Sequence, residues 1–509
     1  MRAVMKTGQE MRRFEMKTAM AVGCALLLIA GSAGADVDSL WCRTYGGPYN
    51  DGFRSAIATG DGGYLAVGYT YSFGPDNVNV YAVKTDAAGD TIWTRTYGGS
   101  GEDYAYDVRE TGDGGFVIAG YTSSFGAGVE DAYILKVDSG GDTLWTRTYG
   151  GAKLDEARGV CVTSDGYIVV TGMTDSFADD IHDMFVLKLE DDGDTVWTRV
   201  IDDADYNWGQ SVCELGDGNY AICGSRADQT SNLQMWVLKM DPGGSVIWDY
   251  EYGDAGLNNP DYGMCVRAVA DTEMVVCGKW AIEVRDPLGP SFLRADLDGA
   301  PLGYRRYTRG FSDIYYDCGN SICFTDDQGY LFCGAIKDNT THNNDLMLLK
   351  RVWGSGWVWE QHFGGSGSDW GNSIWKYAPG HYIVSGHTSS FGAGGYDAWL
   401  INVRDEQAGA PAAGGKEGSG LLAGPAPNPV VSGTVIRFQV PGNMDVNLSI
   451  YDVTGRLVRA LESGHRVSGE YATAWDGRDS EGVRVSPGVY VVKLAAGRAS
   501  ESRKVVVLE

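Results

Sequence analysis

No stretch of this chain matches the short motifs that mark common active sites. HExxH, GxSxG and the phosphate-binding GxxxxGK[ST] loop are all missing, so zinc proteolysis, serine hydrolysis and nucleotide-driven chemistry have no anchor here. Histidine is scarce, with six in 509 residues. His381 and His387 share one face of an apolar stretch, but no third ligand accompanies them. The acidic turn at 190–194 lacks the ligand spacing of a calcium loop. Neither a metal nor a cofactor is implied. Positive charge is also short, since acidic residues exceed basic ones by 26. That sign excludes nucleic acid as a partner, because phosphate binding needs the opposite one. Proline is sparse, 14 against 73 glycines, while Trp and Tyr together reach 44. The balance suits many short strands joined by tight turns, with aromatic rings filling the space between sheets.

Long apolar runs are missing beyond residue 30. The single early run, Ala19 to Ala30, follows Arg12, Arg13 and Lys17 and precedes Ala33-Gly34-Ala35. It is too short to span a bilayer and reads as an export signal over residues 1–35, for which Met16 could equally serve as the start. Without that segment the net charge becomes −29. No later segment can cross a membrane, so the expected address is the outer cell surface or the medium, reached through the periplasm.

What the chain does contain is a repeat. The stretch Trp93-Thr94-Arg95-Thr96-Tyr97-Gly98-Gly99 returns unchanged from Trp145 to Gly151. Relatives of it open at Trp41, Trp197, Trp248, Leu302 and Trp359, at intervals of 52, 52, 52, 51, 54 and 57 residues. Each unit adds a short strand, an Asp-Gly turn, an apolar strand such as FVIAGYT from Phe116, and a further strand such as AYILKVD from Ala132. Four antiparallel strands per unit is the content of a propeller blade. Every strand type occurs seven times, and the array begins on a Trp strand and ends one strand short. The expected fold is all-β: a seven-bladed β-propeller over 36–405, closed by residues 41–46 pairing with Ala398–Val403. Such closure removes the free sheet edge an open array would leave. On these letters the chain resembles secreted bacterial β-propeller repeat proteins with GDTLWTRTYGG and DGGYIVAGYT cores.

Residues 406–424 shift to Ala, Gly, Pro and Ser, the composition of a linker. Six short alternating strands follow within 425–509, the pattern of a small Ig-like β-sandwich. The stretches SIYDVTGRLVRAL (Ser449–Leu461), WDGRDSEGVRVSPGVYVVKL (Trp475–Leu494) and RKVVVL (Arg503–Leu508) are similar to the FlgD-type Ig-like module that serves as a C-terminal sorting domain in type IX secretion. The resemblance implies passage across an outer membrane, with the secretion machinery as partner of 425–509.

Two sets of residues stand out as candidates. Acids recur 28 apart as Asp103 with Asp131, Asp155 with Asp183, Asp317 with Asp345, and Asp369 with Asp397. Aromatic residues, Tyr104 and Trp370, follow two of the first acids. Acids accepting sugar hydroxyls beside stacking rings would form a glycan-binding surface. The alternative is that these acids cap loops through backbone N–H groups. The second set is cysteine. Export permits oxidation, and even separations suggest three bridges across hairpins: Cys213–Cys223, Cys265–Cys277 and Cys323–Cys333. The functional expectation is a monomeric, non-enzymatic module that binds glycan or protein at the cell surface. A propeller-borne glycosidase or lyase and a purely structural envelope protein remain the alternatives.

Overall fold

The computed structural model describes Val22–Gly23 and residues 37–75, 77–177, 182–201, 206–227, 233–252, 261–269, 272–280, 289–306, 318–327, 329–337, 343–352, 356–405, 434–440, 444–452, 456–466, 469–496 and 499–507. The remainder of the export signal, the linker at 406–424 and Asp317 lie outside these residues. The described strands fall into two compact units, one from Val37 to Asp405 and one from Thr434 to Val507.

In the first unit the hairpins stack into antiparallel sheets, seven among the described residues. Sheet 1 holds Asp51–Ala58, Tyr64–Thr70, Asn79–Thr85 and Thr91–Tyr97 in that order, and sheets 2 to 6 repeat the order along the chain. Sheet 7 takes Asp369–Ala378, His381–Thr388 and Asp397–Asp405 from the end of the array and Val37–Tyr45 from its start. In that pairing Tyr45 lies opposite Ala398 and Trp41 opposite Asn402, and Val22–Gly23 adds to the outer edge. Each first strand meets the first strand of the next sheet, and Asp369–Ala378 meets Asp51–Ala58. We call these the inner strands.

The two middle strands of each sheet are mostly apolar because both faces are covered. Phe116–Thr122 and Asp131–Val137 are buried at every position. The apolar clusters lie between sheets. Ala66 and Val83 of sheet 1 pack with Ile383 and Leu400 of sheet 7, and the other six neighbouring pairs have their own clusters. A fully buried Val, Leu or Ile contributes about 1.5–3 kcal/mol, so adjacent sheets are held chiefly by this contact.

The Trp-Thr-Arg-Thr-Tyr motif explains itself at the outer strands. Trp, Arg and Tyr alternate, so all three face the following sheet. The Trp93 indole N–H donates to the Ser139 carbonyl (3.0 Å), the Tyr97 hydroxyl to that of Gly141 (2.8 Å), and Arg95 to that of Gly140 (3.0 Å). The Arg95 guanidinium also lies over the Trp93 ring. Gly141 adopts φ 78°, and a Cβ there would press on the indole at 3.0 Å. The same clasp recurs at Trp145, whose ring faces Gly193, and at Trp197, whose ring faces Gly244. These rings are half-buried. Their position is a joint between a strand and the next sheet's turn, at the outside of the array.

The second unit pairs Thr434–Val440 with Gly469–Trp475 and sets Leu457–Arg466, Met444–Asp452, Gly488–Ala496 and Ala499–Val507 in one sheet. Its core gathers Ile436, Phe438, Leu448, Ile450, Trp475, Val492 and Val505. The buried Trp475 donates its N–H to the Arg478 carbonyl at 2.8 Å. No helix among the described residues is long and apolar enough to cross a membrane.

Candidate functional site: an axial cavity built from seven bulges

Every inner strand of the first unit carries a β-bulge at the same place. The pairing with the second strand slips between Phe53 and Ser55, Ala105 and Asp107, Ala157 and Gly159, and at the matching position of the other four sheets. A glycine on the second strand makes the bulge possible. A Cβ on Gly68, Gly120, Gly172, Gly224, Gly278 or Gly386 would collide with the inner strand's carbonyl oxygen, such as Tyr104 O opposite Gly120. A bulge leaves one residue out of the ladder and re-aims its side chain. The seven extra residues are Arg54, Tyr106, Arg158, Gln210, Met264, Asn320 and Asn372, and all of them line one cavity of about 450 Å³.

The wall of this cavity mixes cations with aromatic faces. Arg109 pairs with Asp107 at 2.6 Å and lies over Trp375. Arg158 bonds Glu156 at 3.0 Å and lies over Trp208. Arg54 sits over Tyr69 and Lys279 over Tyr262, while the buried Arg54 Nε has no hydrogen-bond acceptor. Asp107, which also accepts from Ser55 at 2.9 Å, is the one carboxylate on the wall among the described residues. His387 stacks on Trp370 with ring planes 13° apart. Its Nδ1 lies 3.3 Å from the Asn372 amide nitrogen, so Nδ1 accepts and the ring proton sits on Nε2. Burial, with Arg54 nearby, lowers the His387 pKa to about 3, so the ring is neutral at physiological pH. Beside the cavity Tyr104 stacks on Tyr121 with centroids 5.0 Å apart and meets Tyr69 at 5.2 Å with the rings tilted by 41°.

The recurrent acids occupy a different place. Asp103, Asp131, Asp155, Asp183, Asp369 and Asp397 are all buried, none more than 3% exposed. Asp103 accepts from the Thr122 hydroxyl, from Ser124 Oγ at 2.7 Å and from the Gly99 N–H at 2.9 Å. Asp155 and Asp369 repeat this set. Asp131 accepts from Gly128 N–H, and Asp397 from Ala393 and Gly394. Spatial partners are also not the residues 28 apart. Gly150 lies between Asp131 and Asp155, Gly364 between Asp345 and Asp369, and Gly46 between Asp397 and Asp51. The second acid of one sheet thus meets the first acid of the next. Burial raises the pKa of Asp103, Asp131 and Asp397. These carboxylates fasten loops to the sheets and direct no lone pair into the cavity, whereas Tyr104 is half-buried and Trp370 lines the wall.

The three expected disulfides are not formed, and eight described cysteines remain thiols. The register gives the reason. Cys213 lies opposite Ala221 and Cys223 opposite Ser211, while Cys323 lies opposite Leu331 and Cys333 opposite Ser321. A ten-residue separation leaves each pair two places out of step, beyond bridging reach. Cys265 and Cys277, twelve apart, are directly opposed and still carry separate thiols. Burial pushes the Cys213 thiol up to about 12 and raises those of Cys277 and Cys323, which holds them in the unreactive protonated form.

Comparison with known proteins adds to the second unit. Residues 429–500 match the FlgD Ig-like domain family. The chain ends in an FlgD-type Ig-like domain. No curated protein matches the chain. Among solved structures it is similar to PorZ, an essential bacterial surface component of the type-IX secretion system of Porphyromonas gingivalis, with 13% identity and a TM-score of 0.40 over 91% of this chain and 60% of that one. The chain therefore spans 60% of that protein's length. It is similar also to the Pan2 WD40 domain of Neurospora crassa (9% identity, TM-score 0.43, 72% and 95% coverage). A third is the β-propeller domain of the Trilobed protease of Pyrococcus furiosus (9% identity, TM-score 0.41, 71% and 97% coverage).

The seven bulge residues escaped the sequence reading, although they leave a signal. Three places after each first acid (or Asn207), the repeat shows Arg, Tyr, Arg, Gln, Met, Asn and Asn in turn. The acid column itself is nearly constant. A position that varies inside an otherwise regular repeat is free of the shared packing duty, and here it faces the cavity.

Proposed function

We propose that the mature protein is a secreted or cell-surface binding protein whose first unit, residues 36–405, is a closed seven-bladed propeller with its ligand site in the axial cavity. Closure is supported by the pairing of Val37–Tyr45 with Asp397–Asp405 and by an apolar cluster at each of seven sheet junctions. In this reading residues 1–35 are the export signal, 406–424 a linker and 425–509 a sorting module that engages the secretion machinery, with the protein acting as a monomer. The described recurrent acids act as loop fasteners that shape the mouth.

The observation that carries the reading is the convergence of seven non-equivalent bulge residues on one cavity. An asymmetric lining inside a symmetric frame is what a specific ligand requires. Binding is favoured over glycoside hydrolysis because hydrolysis works through two opposed carboxyl groups, and Asp107 is already tied to Arg109 and Ser55. A glycan array probed with the full mature chain tests this. A small set of glycans should be retained, and Trp370→Ala should abolish their binding. Retention that survives Trp370→Ala, or no retention at all, would overturn the glycan-binding form of the proposal.

A further inference from the structure

We infer that the axial cavity takes an acidic saccharide, held through its carboxylate by Arg54 and Lys279 and through its ring by Trp370. The inference rests on the axial cavity being the ligand site and adds the charge and class of what enters it.

The argument starts from a contrast of sign. The chain carries a net charge of −26, yet its axial wall gathers Arg54, Arg109, Arg158, Arg267 and Lys279. Asp107 and Glu156 neutralise two of these five cations. For the other three no described carboxylate lies within ion-pair distance. Arg267 spends one nitrogen on the Val266 carbonyl at 3.0 Å. Arg54 keeps a buried Nε without an acceptor. Like charges collected around a partly desolvated space repel one another, and a buried donor left without an acceptor adds a desolvation cost. Folding alone gives no reason to keep that arrangement. An anion entering the cavity removes both penalties at once, and a planar guanidinium binds a carboxylate through two parallel hydrogen bonds.

The remainder of the wall selects a sugar over a peptide tail. Asn320 donates its amide to Gly371 O and Asn372 donates to Phe53 O, each at 2.7 Å. Their side-chain oxygens are then left as acceptors, and Ser211, Ser373 and the neutral His387 add groups that donate. Sugar hydroxyls both donate and accept, so they match such a lining. The Trp370 ring offers a flat apolar face to the C–H side of a pyranose. The volume of about 450 Å³ suits one to three sugar units, which falls within the usual size of a small-molecule site.

Calorimetric titration of the full mature chain with trigalacturonate, with its methyl ester and with a short peptide bearing a free C-terminal carboxylate tests the inference. The ester keeps every sugar contact and removes only the charge, so no altered protein is needed for the central comparison. The acid should bind about tenfold or more tighter than the ester, the scale of one charged hydrogen bond. The Arg54→Gln and Lys279→Gln pair of changes should bring the acid down to the ester's affinity without lowering the melting temperature. Equal binding of acid and ester, both lost in Trp370→Ala, would overturn the inference and leave the cavity as the site. Tighter binding of the peptide would overturn the saccharide assignment. Binding of the acid that ignores both Arg54→Gln and Trp370→Ala would overturn the cavity itself.

Discussion

Asp103 shows how much one repeated letter can carry. Its carboxylate accepts from a backbone N–H and two hydroxyls in a site sealed from water. Replacement by Ala takes this acceptor from the Thr122 and Ser124 hydroxyls, while the Gly99 N–H keeps Ser124 Oγ at 3.1 Å, so Asp103→Ala should destabilise the first unit by roughly 2–4 kcal/mol in urea titration. Asp103→Asn, which keeps an acceptor, should cost less than half of that. A loss below about 0.5 kcal/mol for Asp103→Ala, the range of ordinary surface changes, would show that the fastening is dispensable. The acid was conspicuous in the sequence because it recurs, and recurrence in nearly every unit is the mark of a shared structural duty. The neighbouring position three places on varies from Arg54 to Tyr106 to Gln210, and variation there is what a site looks like in a repeat. Cysteine misled for a related reason. Counting residues assumed hairpins symmetric about the wrong point, and a shift of one place in the turn's centre moves partners by two.

At the scale of the element, the bulge and its facing glycine form one device. The inner strand must bring its Tyr104 carbonyl against the second strand, and only a residue without a side chain leaves the room. Gly120→Ala should therefore destabilise the first unit by about 3 kcal/mol or more, since the collision is with backbone and cannot be relieved by a rotamer change. It should also disturb cavity residues of sheet 2, which a drop in ligand affinity would report. Gly112→Ala meets open space and serves as the control, expected within about 0.5 kcal/mol of the parent. Equal stability of the two variants would remove the bulge from the account. Strand identity and order were legible in the sequence, because alternation and Asp-Gly turns are local signals. The bulge was not, because an extra residue in one strand shows only in the pairing with another. The outer Trp was legible as an inter-sheet residue, whereas its seat on the next sheet's turn follows from Gly141 and Ser139.

For the whole molecule, the frame is a set of sheets joined by apolar contacts, in which the first strand of the chain completes the last sheet. Deletion of residues 36–47 would bare the edge of Asp397–Asp405 and remove Tyr45 from the cluster it shares with Phe53 and Tyr81. Such a chain should lose several degrees of melting temperature in a single transition, since 1 kcal/mol shifts a large domain by about 2–4 °C. An unchanged transition would mean that the first unit does not depend on this strand. Sequence periodicity carried the frame and the C-terminal domain clearly. At the centre of the frame residues 54, 106, 158, 210, 264, 320 and 372 meet from seven separate hairpins. The central claim is that these residues form the binding site, and a crystal structure of the full mature chain with trigalacturonate tests it most directly. The account predicts density for a sugar in the cavity, its carboxylate against Arg54 or Lys279 and its ring along Trp370. Density seated on the outer faces of the sheets, with the cavity holding only solvent, would contradict it.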